Sequence, residues 1–575
     1  MMDRLERLRV VLLIALGLVA VRLIHLQVIR GAYYRQLAEQ NRLRLVPAQA
    51  PRGLIVDRQG RLLATNQTLF RVTLIPQELE DPSAAFAYLS AVVHRPIDAL
   101  MREYQKERTL AFLPATVVPR VPKETAMALE ESRWKFPGVF VKPETVRHYP
   151  LGSTASHLLG HLSQPTAEEL PLLKQYGIRP KQLVGRMGLE RLLDHALQGQ
   201  AGGTMVEVNH RARQMRVVGQ RAPQPGARVV LTIDAQLQSL IEAAFGEQPG
   251  AAVVLDPHTG EVLAMVSVPE FAPEAFLGFD AKTVQGFFDD PRTPLMNRAT
   301  MGSYPPGSIA KLVTAAAALE HHLITPETTI NCTGSITIGD RTFHCWNRDG
   351  HGPMNLRDAL MQSCNVYFMT ITRRLGIERL RAIQEEIGFS HRTGWTLEEQ
   401  PGHVPHHYLT EGEMVMLGIG QGELLVTPIQ AAVMASVFAN GGWVIEPWVV
   451  REIGGQPVMR QPLRRRLSWS PATLEAIRAG MRAVVNDPDG TGRRAMSSHV
   501  SIAGKTGTAQ THLPGKTHAW FTGFCPIDQP RAALAIVAEY GGSGGELPAE
   551  IAKTACEYLA LPSTSPAQAA AGRSP

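Results

Sequence analysis

From Val10 to Val21 the chain carries no polar side chain, and the apolar pattern continues to Ile29, interrupted only by Arg22, His25 and Gln27. As a helix, residues 9–29 are long enough to cross a hydrocarbon core of about 30 Å. The pattern runs on into Tyr33, Tyr34 and Leu37 with no small-x-small cleavage site, so it reads as a retained anchor rather than a signal peptide. Arg4, Arg7 and Arg9 hold residues 1–8 in the cytoplasm, which places everything after this single pass outside the inner (cytoplasmic) membrane. Arg22 either snorkels to the far interface or faces a partner helix. No later stretch is long and apolar enough for a second span.

Beyond the anchor the pattern alternates between helical and extended periods. Residues 31–48 read as a helix leaving the membrane, 51–64 as two short strands around a Gly-containing turn, and 86–131 as mostly helical. Gly185 to Gly202 reads as a helix bounded by glycines, followed by a strand at Thr204 to Val208. His148, His157 and His161 lie on an otherwise apolar segment, where packing is the expected role rather than metal binding. Pro223-Gln224-Pro225-Gly226 breaks the chain and marks a boundary between residues 30–225 and 226–561. After it come a strand at 229–234, a helix at 236–245, and strands at 251–255 and 262–268. Paired strands at 519–525 and 532–538 and a helix at 548–559 close the pattern. This is an α/β (α+β) domain with an antiparallel sheet. Residues 562–575 are rich in Ala, Ser and Pro and are expected to be disordered. No internal repeat is visible.

Composition adds limits. A chain of 575 residues with 44% hydrophobic and 19% charged residues holds two or more globular domains. The net charge of +6 is modest at this length, and no basic stripe is interleaved with aromatics, so nucleic acid is not an expected partner.

The chemistry centres on Tyr304-Pro305-Pro306-Gly307-Ser308-Ile309-Ala310-Lys311. Pro and Gly break the preceding structure, and Leu312, Val313 and Ala315 to Leu319 read as a buried helix. Ser308 thus sits at a helix start, where unpaired N–H groups favour negative charge, with Lys311 one turn on as its base. Ser-x-x-Lys alone is weak: Ser132-Arg133-Trp134-Lys135 repeats it, but runs into Phe136-Pro137-Gly138 instead of a helix. Two later stretches change that, Ser363-Cys364-Asn365 and Gly504-Lys505-Thr506-Gly507-Thr508. Ser308 would attack a carbonyl, and a second ammonium at Lys505 would lower the pKa of Lys311 so that it can accept a proton. Ser363 would relay a proton to the leaving amine and Asn365 hold the substrate backbone. Thr506 and Thr508 would bind a carboxylate beside Lys505. Gly507 would let a substrate strand lie against the sheet edge, and the N–H groups of Ser308 and Thr508 would form the oxyanion hole.

Ser-x-x-Lys, Ser-x-Asn and Lys-Thr-Gly in this order are the signature shared by penicillin-binding proteins and class A β-lactamases. With the anchor, Arg52-Gly53 to Ala64, Gly185 to Gly202 and Gly418-Ile419-Gly420-Gln421-Gly422, residues 1–560 resemble a class B penicillin-binding protein, most closely the elongation type, penicillin-binding protein 2. The resemblance implies a penicillin-binding/transpeptidase fold on an elongated α+β pedestal of the dimerisation type. It implies a peptidoglycan D,D-transpeptidase that works on stem peptides of lipid II-derived nascent glycan and is acylated by β-lactams. It also implies a partner, a SEDS glycan polymerase of the RodA type within the elongation machinery. The rival readings are a division-type transpeptidase, a serine β-lactamase or D,D-carboxypeptidase, and a β-lactam sensor without turnover. The large module before the catalytic domain and the retained anchor argue against a secreted β-lactamase.

Five cysteines remain: Cys332, Cys345, Cys364, Cys525 and Cys556. Outside the cytoplasm a disulfide such as Cys332–Cys345 is the plain expectation. The odd count and the place of Cys364 inside Ser-x-Asn make a simple disulfide set awkward. The alternative is a structural zinc site of Cys332, Cys345, Cys364 and one histidine, which some elongation-type relatives resemble; free thiols are the third reading. His351 is preferred over His344, because His344 adjoins Cys345 and would point the other way on extended backbone.

Overall fold

The computed structural model describes residues 2–34, 43–108, 114–166, 168–169, 171, 182–208, 214–278, 281–459 and 463–561. It forms two compact units. One comprises Met1–Gly53, Asn66–Arg147 and Gln198–Gly226, the other Leu54–Thr65, His148–Leu197 and Ala227–Pro575.

In the first unit the apolar N-terminal segment is helical, Met2–Ile24 followed by a wider turn His25–Ile29, and Leu8–Ile29 is long and apolar enough to cross a membrane. Strands Leu43–Ala48, Gly202–Val208 and Gln214–Arg221 form a small antiparallel sheet in that order. A second group packs helices Pro82–Val93, Ile97–Glu107 and Lys123–Glu131 with strands Ala115–Val121 and Val139–His148 around Val72, Leu74, Phe86, Leu89, Leu100, Val117 and Leu129. The first of these helices starts where Asp81 accepts from the Ala84 N–H and Pro82 fixes the first turn, a standard helix opening.

The second unit is built on a five-stranded antiparallel sheet ordered Val262–Val268, Gly250–Leu255, Ala532–Ala538, Thr517–Cys525, Ala503–Gln510. Every residue of the first three is buried. Side chains alternate between two cores, as the period of 2 requires: Ala252 and Val254 join Leu237, Ile241, Ile551 and Ala555, while Ala251 and Val253 join Leu312, Ile429 and Phe438. Helices Ala235–Phe245 and Leu547–Ala560 supply the first core, Lys311–Glu320 and Pro428–Ala439 the second. The strand Val229–Leu231 pairs in parallel with Ile55–Val56 and antiparallel with Val450–Ile453, so a hairpin from early in the chain belongs to this unit.

Several expected elements differ. Leu43–Ala48 is strand, not the end of a helix over 31–48, because its partner is Gly202–Val208, a pairing that local periodicity does not reveal. The region 86–131 contains the strand Ala115–Val121, which pairs with Leu62–Leu74. Gly185–Gly202 is no single helix: a short bridge Val184–Gly185 precedes helices Gly188–Leu192 and Asp194–Gln198. A side chain at Gly185 would meet the Glu190 carbonyl at 2.0 Å, so its glycine serves close packing rather than a helix end. The strand expected at 229–234 stops at Leu231, since Asp234 caps the next helix. The tail 562–575 lies outside the described residues.

Candidate active site

Ser308 lies in a 3-10 turn, Gly307–Ala310, that leads into the α-helix Lys311–Glu320, where the apolar pattern from Leu312 to Leu319 places it. The turn is positioned by glycines. Gly307 has φ +53° and donates to the Gly420 carbonyl at 2.8 Å; a side chain at Gly420 would meet the Gly307 carbonyl oxygen at 2.0 Å. Ser308 is half-buried, and its hydroxyl makes no hydrogen bond among the described residues.

Lys311 is fully buried at 0% exposure, and its Nζ donates to Ser363 O at 2.9 Å, Asn365 Oδ1 at 2.7 Å and Ser363 Oγ at 3.3 Å. Burial pushes the amine down to about 8, against which the Cys364 and Cys345 sulfurs pull upward. Lys505 is also fully buried; its Nζ donates to Thr506 O at 3.0 Å, and burial, then the Lys311 charge, hold it well below an ordinary lysine. Desolvation is the first cause at both amines, and the repulsion between the two ammonium groups, being mutual, adds to it.

Ser363 adopts φ +53°, a strained left-handed conformation for a non-glycine residue, immediately before helix Asn365–Leu375. The kink presents Ser363 and Asn365 to Lys311 while Cys364, at 0% exposure, turns inward and accepts from the Tyr367 N–H at 3.4 Å. Lys505 to Thr508 lie on the edge strand Ala503–Gln510. Thr508 is exposed, but Thr506 is 6% exposed and its Oγ1 is 2.7 Å from Thr491 Oγ1, so its hydroxyl is engaged within the fold. A side chain at Gly507 would meet Trp520 Cβ at 2.9 Å and Pro306 O at 3.0 Å, which ties this glycine to the Ser308 loop as well as to an open edge.

Cys332, Cys345, His351 and Cys364 place their donor atoms within 4.8 Å of one another. His351 Nδ1 is 3.4 Å from Cys332 Sγ and 3.6 Å from Cys345 Sγ. Tetrahedral zinc, with Zn–S of about 2.3 Å and Zn–N of about 2.0 Å, requires S···N edges of about 3.6 Å, so the donor set fits. The three thiols are unpaired, and His344, exposed on its strand, stands apart. The Asn365 N–H points at Cys345 Sγ at 3.3 Å, which joins the cluster to the Ser-x-Asn motif. The Cys364 thiol donates toward Cys345 and favours the thiolate there.

Two features escaped the sequence. Cys525 and Cys556 form a disulfide between the sheet and the last helix; the odd count of five obscured that the two cysteines outside the Cys332, Cys345 and Cys364 set pair with each other. Thr491, in an Asp-Gly-Thr-Gly turn, bonds Met361 O at 3.2 Å as well as Thr506, joining the two later motifs, and no local pattern announces it. The Ser132 copy of Ser-x-x-Lys ends helix Lys123–Glu131 instead of opening one.

An antiparallel sheet flanked by helices, with Ser308, Lys311, Ser363, Asn365 and Lys505 converging at its edge strand, defines an acyl-transferring serine enzyme. Residues 250–557 match the penicillin binding protein transpeptidase domain and residues 47–231 the penicillin-binding protein dimerisation domain, so the chain belongs to the class B penicillin-binding proteins. It is 32% identical to the peptidoglycan D,D-transpeptidase MrdA of Escherichia coli over 571 residues, 93% of this chain and 90% of that one. Among solved structures it is similar to the penicillin-binding protein PBP2 of Helicobacter pylori in complex with MreC (TM-score 0.78, 29% identity, 90% of this chain and 98% of that one). It is also similar to a chain of a peptidoglycan synthase complex that coordinates polymerization and crosslinking (TM-score 0.76, 29% identity, 98% and 99%). The rival readings as a secreted β-lactamase or a sensor give way to a serine transpeptidase of the elongation type.

Proposed function

We propose that the protein is a membrane-anchored D,D-transpeptidase of the cytoplasmic membrane, with residues 9–29 as anchor, 30–225 as pedestal and 226–561 as catalytic domain facing outward. Its substrates are stem peptides ending in D-Ala-D-Ala on nascent glycan. Ser308 attacks the penultimate carbonyl, D-Ala leaves, and a second stem peptide's amine takes the acyl group from Ser308. Lys311, kept dry and readily neutral, takes the Ser308 proton; Ser363 passes a proton to the leaving amine; Asn365 aligns Lys311 and the peptide. Thr508 and the Lys505 ammonium receive the terminal carboxylate, with Gly507 leaving the strand edge free, and Thr506 supports Thr508 from within the fold. The observation that carries this reading is the buried Lys311 amine held on both Ser363 and Asn365, at the start of the helix that follows the Ser308 turn.

The polymerase partner is a RodA-type SEDS protein, in keeping with the synthase complex and the MreC complex formed by the related proteins. Zinc on Cys332, Cys345, His351 and Cys364 fits the donor geometry; with four protein ligands it would supply a structural crosslink behind the Ser-x-Asn motif. Labelling with a fluorescent penicillin tests the nucleophile: Ser308→Ala should abolish covalent labelling in folded protein while Ser132→Ala labels normally, and retained labelling of Ser308→Ala would sink the assignment. Incubation with lipid II and a RodA-type polymerase, scored for cross-linked muropeptides, tests the reaction itself.

A further inference from the structure

The loop leading to Ser308 is held to the rest of its unit by Tyr304, Pro305 and Gly307. Tyr304 exchanges backbone hydrogen bonds with Val426 at 3.0 and 2.9 Å, Gly307 donates to Gly420, and Trp520 Nε1 donates to Pro305 O at 3.0 Å. A further tie is a side-chain contact. The Tyr304 hydroxyl donates to Glu539 Oε1 at 2.8 Å, with Tyr304 only 5% exposed. Gly302 makes room for this ring, since a side chain there would meet the Tyr304 hydroxyl at 2.4 Å. Glu539 follows directly on the central strand Ala532–Ala538, and its own backbone is fixed by Pro249 O at 2.8 Å and Gln248 Nε2 at 2.6 Å. Its carboxylate also meets Arg298 Nε at 3.0 Å, and Arg298 is 3% exposed and bonded to the carbonyls of Arg292 and Thr293. His518 and Trp520 present their rings to that of Tyr304. Burial and the Glu539 charge push the Tyr304 phenol well above its ordinary value, so it stays a donor.

We propose that Glu539 is a positioning residue for acylation, fixing through the Tyr304 phenol the separation between the Ser308 loop and the Lys-Thr-Gly strand. The separation matters because the two oxyanion donors lie on different elements. Ser308 N belongs to the loop and Thr508 N to the edge strand. Pro306 O already sits against Gly507, as the 3.0 Å approach of a side chain there records. The other backbone ties join the loop to Val426 and Gly420, and Trp520 joins it to the neighbouring strand; Glu539 alone among these references it to the middle of the sheet. Losing this tie leaves substrate contacts on the edge strand in place and loosens the alignment of attack, a displacement to which rates are steeply sensitive.

The proposal rests on Ser308 being the nucleophile. Its test is stopped-flow acylation of the detergent-solubilised full chain by a fluorescent penicillin over a range of concentrations, alongside calorimetric melting. Tyr304→Phe and Glu539→Ala should each lower the maximal acylation rate about tenfold, with the half-saturating concentration unchanged. The double variant should be no slower than either single one, because both remove the same hydrogen bond. Glu539→Gln keeps an acceptor oxygen and should stay within about threefold of wild type. Multiplied losses in the double variant, a change confined to the half-saturating concentration, or wild-type rates in Tyr304→Phe would overturn the proposal. Should Glu539→Ala unfold by stranding Arg298, Tyr304→Phe against Glu539→Gln decides the matter. Labelling that survives Ser308→Ala would instead remove the nucleophile reading, a separate failure.

Discussion

Lys311 shows how one residue's surroundings determine its chemistry. Its amine has three oxygen partners, and burial brings it down to about 8. Only the neutral amine accepts a proton, and its fraction rises tenfold per pH unit below that value. Acylation by a penicillin at subsaturating concentration should therefore climb from pH 6 to about 8 and then level off. A flat profile over that range, with intact protein, would discard Lys311 as the titrating base. Lys311→Arg should be nearly inactive at every pH in the range, since a guanidinium does not deprotonate. The residue types at the site were legible in the sequence because the chemistry restricts them: nucleophile, base, relay and anchoring cation each have few candidates. Their partners were less so. That Thr506 turns to Thr491, and that burial is the first cause of the lowered Lys311, depends on strand facing and desolvation, and neither quantity is written in a motif.

The helix Asn365–Leu375 carries the consequences of the cysteine cluster. Its cap residue is Cys364, and the N–H of Asn365 rests on Cys345 Sγ, so any ion held by these sulfurs also fixes the start of the helix. About one zinc per chain is expected by elemental analysis of protein purified without chelator. Cys345→Ser should lose that metal and slow acylation, and the melting temperature should fall with it; full metal content in Cys345→Ser would exclude this ligand set. At this scale the sequence was uneven. Strands such as Val262–Val268 and Ala532–Ala538 were visible as continuous apolar runs, because both faces are covered. Leu43–Ala48 and Ala115–Val121 were not, because each is a strand by virtue of pairing with a segment distant in the chain, Gly202–Val208 and Leu62–Leu74, which its own pattern does not name.

Taken as a whole, the catalytic unit is discontinuous. The hairpin at residues 54–65 enters it through Asp57, which is 0% exposed and accepts from the N–H groups of Gln59 and Arg61 at 2.8 Å and of Ala235 at 3.2 Å. Gln59 then reaches Asp234 at 3.0 Å, and Asp234 accepts from Tyr558 at 3.0 Å, so the hairpin, helix Ala235–Phe245 and helix Leu547–Ala560 are joined by one set of polar contacts. Asp57→Ala leaves buried donors without a partner and should cost the catalytic unit about 2–3 kcal/mol, seen as a lower melting temperature of the full chain. An unchanged melting temperature would show that the hairpin is merely carried along. The boundary suggested by Pro223 to Gly226 marks a change of composition, but a chain that leaves and re-enters a unit gives no compositional sign of doing so.

The link between Gln59, Asp234 and Tyr558 also bears on how the molecule is made. Polypeptides emerge from the ribosome N-terminus first, so the hairpin appears early and waits for a helix that is among the last segments to follow. Until Leu547–Ala560 arrives, Leu534, Ile536 and Ala252 lack the layer that covers them, and Cys525 lacks Cys556. A prematurely terminated chain therefore keeps its N-terminal apolar helix and the three sequence motifs but exposes an apolar sheet face, the kind of surface that chaperones and proteases recognise. The last helix to be made is thus the one that closes this face of the sheet and brings Cys556 to Cys525.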